Sequence, residues 1–87
     1  MRIRAIKVGP GWHPSQVMVS VKVADGHAEF VSVDHRSWDG KAIMVSPKVA
    51  TRTEDQAMLV ELPRESESGA WRIWISPEEV APDAEAA

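Results

Sequence analysis

Val17-Met18-Val19-Ser20-Val21-Lys22-Val23 places valine at every odd position over seven residues, with Asp25-Gly26 just beyond. Strict alternation of β-branched residues fits a strand with one buried face, whereas a helix would scatter those valines around its circumference. Asp-Gly is the pair favoured in a two-residue hairpin turn, because both central residues need positive φ. The pattern predicts a hairpin of residues 16–24 and 27–34. Val23 then faces Ala28, Val21 faces Phe30 and Val19 faces Ser32 inside, while Lys22 faces Glu29 outside. That outer side would also carry Met18, Val31 and Val33.

A second hairpin is expected from Ala57–Leu62 and Ala70–Ser76, joined by the polar run Arg64-Glu65-Ser66-Glu67-Ser68-Gly69. Pairing Leu62 with Trp71 brings Val60 to Ile73 and Met58 to Ile75 on the inner face. The opposite face then holds Glu61 beside Arg72 and Leu59 beside Trp74. A one-residue slip would exchange the faces and bury Trp74 in place of Trp71.

Further strands are expected at Arg2–Val8, ended by Gly9-Pro10-Gly11, and at Lys41–Ser46 after the Trp38-Asp39-Gly40 turn, with Thr51–Gln56 as a connection. Ser76-Pro77-Glu78-Glu79 carries a helix-start signature, with Ser76 as N-cap, and predicts a single turn ending near Ala81. Short strands, short connections and the lack of a long amphipathic pattern predict an all-β fold. The expected form is a small antiparallel β-barrel or a compact sandwich of about five to six strands, with one short C-terminal helical turn. The stretch Trp74-Ile75-Ser76-Pro77-Glu78-Glu79-Val80 resembles the way SH3 domains finish, where a last strand enters a proline-initiated turn carrying a hydrophobic residue. This resemblance implies an SH3-like barrel. The resemblance covers about a tenth of the chain, its proline-to-valine spacing differs, and the tyrosines that line an SH3 ligand groove are absent, so neither the family nor its proline-peptide binding is carried over.

At 87 residues the chain is expected to form one domain over 1–81, followed by a disordered tail at 82–87. No secretory signal or membrane-spanning run is read from the sequence, and a cytoplasmic location is the expectation. The absence of cysteine removes disulfides, thiolate metal sites and cysteine nucleophiles together. Residues 1–52 carry 8 basic and 4 acidic side chains, and residues 53–87 carry 2 and 9. Such a basic front and acidic back bear on association rather than fold.

Functional motifs are few. His13, His27 and His35 share no metal-ligand spacing, so no metal site is nominated. Asp34-His35-Arg36-Ser37 holds the residue types of a hydrolytic triad, but triad members converge from separate elements. Gly9-Pro10-Gly11 lacks the lysine and following helix of a phosphate loop, so no nucleotide cofactor is expected. Four tryptophans remain. Trp12 and Trp38 fall in loops and are expected to plug the ends of the barrel, and Trp71 is assigned to the core. Trp74, Leu59 and Arg72 share the outward sheet face, and an aromatic beside a guanidinium is the composition of a binding hot spot. The sequence therefore favours a non-enzymatic interaction module for a protein partner or a second copy. The alternative is a nucleic-acid-binding barrel using Arg2, Arg4, Lys7, Lys48 and Arg52, against which stands the net charge of −3.

Overall fold

Gly26 takes φ +102 and closes the first hairpin, but the loop is one residue longer than the Asp-Gly pair implies. In this computed structural model, which describes residues 1–82, the Val23 amide donates to the His27 carbonyl, so Ala24, Asp25 and Gly26 form a three-residue loop. The Gly26 amide returns to the Val23 carbonyl, and an Asp25 side-chain oxygen accepts the His27 amide. A turn followed by a positive-φ glycine is the usual three-residue hairpin closure. Its consequence is a one-residue slip from the expected register. Val19 pairs with Val31, Val21 with Glu29 and Ser20 with Phe30. The slip turns Val31 and Val33 inward and leaves Phe30 exposed, correcting the expected Val21–Phe30 and Lys22–Glu29 pairs. The outer side then carries Phe30 with Met18, Ser20 and Lys22, in place of Val31 and Val33.

The elements in chain order are β1 (Arg2–Arg4), β2 (Ile6–Pro10), β3 (Gln16–Lys22), β4 (Ala28–Asp34), β5 (Ala42–Met44), β6 (Ala50–Thr51), β7 (Met58–Glu61), β8 (Arg72–Ile75) and β9 (Val80–Ala81). They form three antiparallel three-stranded sheets, ordered β5-β1-β9, β2-β3-β4 and β6-β7-β8. The fold is thus all-β, but among the described residues the three ladders do not run on into one closed hydrogen-bonded barrel. The expected first strand is split: it bends at Ala5, so one segment serves two sheets. Single backbone bonds tie the sheets elsewhere, from Ser46 to Glu61, from Ala24 to Trp74 and from Glu67 to Phe30.

All three sheets face a common core. Ile3, Val19, Val21, Val31, Ile43, Val60 and Ile75 are almost fully buried within it, and each such side chain contributes roughly 1.5 to 3 kcal/mol relative to exposure. The second hairpin has the predicted register throughout, Met58 to Ile75 through Glu61 to Arg72, with the Leu62 amide donating to the Trp71 carbonyl. Trp71 is nevertheless 54% exposed. It precedes β8, beyond the covered part of the sheet, and Leu62 and Ala70 pack at the core edge instead. Alternation fixes the side on which a residue lies, not whether anything covers that side.

Two 3₁₀ turns complete the fold, one expected and one not. Pro77–Glu79 forms the predicted turn, although the Ser76 hydroxyl makes no capping bond and the chain re-enters a strand at Val80. His35–Ser37 forms the other, with the Asp34 side chain accepting the Arg36 amide. Trp38 packs at the bend of the first segment rather than over a barrel end, its indole N–H donating to the Ala5 carbonyl at 2.8 Å. Trp12 does not plug anything and is 53% exposed. Of the tail expected at 82–87, all but Pro82 lies outside the described residues.

Candidate functional site

The outer face of β6-β7-β8 is built by three cross-strand pairs. Ala50 sits opposite Leu59, Leu59 opposite Trp74, and Glu61 opposite Arg72. Leu59 and Trp74 are both half-buried, so this face presents an apolar centre that is only partly covered. Arg72 does not stack on the tryptophan: its Nε donates to Glu61 at 2.8 Å. The guanidinium over the Trp74 ring belongs to Arg52, 4.7 Å from the ring centroid. Arg52 is oriented in turn by Asp55, with contacts of 3.2 and 2.6 Å.

The polarity of residues 51–56 reads as a connection, and the sequence counts Arg52 among the basic residues of the nucleic-acid alternative; in the structure β6 is only two residues long. Even so, that short strand is enough to bring Arg52 alongside β7 and over Trp74. A cation held on a tryptophan face is worth roughly 0.5 to 1 kcal/mol at a partly exposed site, and it leaves a rigid, amphipathic surface.

A second cluster centres on Glu29, which the slipped register turns inward opposite Val21. The Ser66 and Ser68 hydroxyls donate to its Oε1 at 2.8 and 2.6 Å, and His27 Nε2 contacts its Oε2 at 2.9 Å. His27 also contacts Asp25 through Nδ1. The Ser68 hydroxyl, with Ser66 and His27, holds the Glu29 carboxyl below the usual glutamate range against the opposing effect of burial. Glu29, with Asp25, raises His27 above its ordinary value. This cluster is not a nucleophile relay. Both serines give their protons to the carboxylate, and the imidazole lies on its far side, where it can deprotonate neither.

The other expected chemistry is dispersed. Asp34 pairs with Arg36, and His35 Nδ1 meets the Ser15 carbonyl, so Asp34, His35 and Ser37 form no relay. Among the described residues, no group of three histidine, aspartate or glutamate side chains is arranged to hold a metal ion. The five cations of the nucleic-acid reading do not form one track. Arg2 pairs with Asp39 and Arg52 with Asp55. Lys7 is exposed on β2 opposite Val19, Lys48 is exposed between β5 and β6, and Arg4 lines a groove beside β3. No helix among the described residues is long and apolar enough to cross a membrane. Comparison with protein-family models, curated proteins and solved structures finds no significant match for this chain.

Proposed function

We propose that this chain is a small non-enzymatic interaction module, and that it binds a protein partner or a second copy through the outer face of β6-β7-β8. The observation that carries this reading is the half-buried Trp74 with Arg52 stacked at 4.7 Å. Leu59 supplies the apolar neighbour, and the Arg72–Glu61 pair forms a polar rim. Tryptophan and arginine over a partly desolvated apolar floor are the residues that carry binding energy at protein interfaces. An SH3-like barrel remains the finer description of the fold that the C-terminal turn and its hydrophobic Val80 favour.

The test pairs two variants, Trp74→Ala and Arg52→Ala, with sedimentation velocity across a concentration series and with recovery of bound proteins from extract. The expected result is a partner or a dimer retained by the native chain, lost with Trp74→Ala and weakened by Arg52→Ala, while both variants keep cooperative unfolding. If Trp74→Ala unfolds the chain, the tryptophan is core and the reading fails. It also fails if neither variant changes self-association or recovery. Binding of nucleic acid by the native chain at low salt, and its loss at high salt, would favour the alternative instead.

A further inference from the structure

The bend at Ala5 opens a gap in the β2–β3 ladder. Ile6 pairs with Ser20, and continuing that register would set Arg4 opposite Lys22. Arg4 leaves for the other sheet and pairs with Ala42, so β3 runs on past Ser20 with no paired strand on that side among the described residues. The gap is a groove of about 710 Å³ whose walls include Arg4, Lys22 and Lys41. None of these three cations makes an ion pair among the described residues. Among the described residues Glu79 is the one carboxylate lining the groove, against the three cations, a net of two positive charges. Its apolar wall is Ile6, 70% exposed, and the ring of Trp38. The Trp38 ring is fixed by its indole bond to the Ala5 carbonyl.

Like charges lining one concavity repel one another, an arrangement that a bound anion would relieve. The volume falls in the range of small-molecule sites, and fixed aromatic and aliphatic walls beside a few polar groups are how such sites are built. We propose that this groove binds a small organic anion, with a phosphate or carboxylate head held by Arg4, Lys22 and Lys41 and an apolar body against Ile6 and Trp38. The site lies apart from the Trp74 face and does not depend on it.

The experiment titrates 1-naphthyl phosphate into the isotope-labelled chain and follows backbone amide and indole shifts, with 1-naphthol and inorganic phosphate as separate arms. The expected result is a saturable shift at Trp38, Ile6, Lys22 and Lys41, with the naphthol and phosphate arms each at least about tenfold weaker. Lys22→Gln combined with Lys41→Gln should weaken naphthyl phosphate by about tenfold or more without altering thermal unfolding, both lysines being exposed. A carboxylate in place of the phosphate, as 1-naphthoate, separates the two head groups. The proposal is overturned by shifts that map elsewhere, by equal binding of naphthol, or by an unchanged affinity in the double variant.

Discussion

Replacing Glu29 by alanine should be among the more damaging single changes to this chain that remove no core hydrocarbon. The carboxylate receives two hydroxyl bonds, from Ser66 at 2.8 Å and Ser68 at 2.6 Å, and thereby fastens the 64–69 loop to the first hairpin. A hydrogen bond to a charged acceptor contributes roughly 1.5 to 3 kcal/mol. Ser66 is buried but keeps the Ala70 amide and the Ser68 hydroxyl as partners, which lowers the penalty for its lost bond. The low end for each bond applies, giving about 3 kcal/mol in all. For a domain of this size that corresponds to a fall in Tm of roughly 12 to 24 °C. Thermal unfolding by tryptophan fluorescence measures it, and hydrogen exchange at the Ser66, Glu67, Gly69 and Ala70 amides, all bonded in the fold, localises it. Glu29→Gln keeps the shape and one acceptor oxygen and should cost less. A Glu29→Ala loss under about 0.5 kcal/mol, with loop protection unchanged, would refute the reasoning.

The same cluster fixes a pH dependence. A carboxyl whose pKa is lowered in the fold contributes stability that is complete above its unfolded value, about 4.3, and is lost as pH falls through the folded value. Glu29 is such a group. An imidazole whose pKa is raised contributes stability that is complete below its unfolded value, about 6.5, and is lost as pH rises through the folded value. His27 is of that kind. The clasp should therefore be tightest between about pH 4.3 and 6.5, with both groups charged.

Two further outcomes test the register and the packing. Trp71→Ala, at an exposed site past the strand end, should cost under about 1 kcal/mol, whereas Ile75→Ala should cost about 2 to 5 kcal/mol; equal losses in denaturant titrations would mean that the second hairpin is misassigned. Gly11→Ala would drive a methyl to 2.5 Å from the Ser32 hydroxyl and 2.8 Å from the Gln16 backbone. It should destabilise by roughly 1 to 3 kcal/mol, and a neutral effect would show that the 11–16 loop does not lie against β4.

The second hairpin was legible because its evidence was redundant: Leu59, Glu61, Arg72 and Trp74 accept only one register that pairs charge with charge and buries Val60 and Ile73. For the first, the Asp-Gly signal named the turn but not its length. Val31 and Val33 on the expected solvent face were the sign that the loop needed one more residue. The Arg52–Trp74 stack was hidden for a different reason. A strand of two residues leaves no periodicity to read, and a contact between residues 52 and 74 depends on the sheet order rather than on local pattern. Neither could the groove beside Lys22 be inferred, since it exists only because one segment abandons a ladder at Ala5.

That divided segment also bears on the order in which the chain can assemble. The 16–34 hairpin is local and can close as soon as it is made, since such hairpins form in roughly 1 to 10 μs. β1 is different: Ile3 must find Ile43 on one side and Val80 on the other. Closing contacts of such long sequence separation is slow, and during synthesis the second of them must wait until β9 has emerged. β1 is made before both of its partners and is enclosed only when the later one arrives; until then Ile3, which ends 1% exposed, has no complete core to enter.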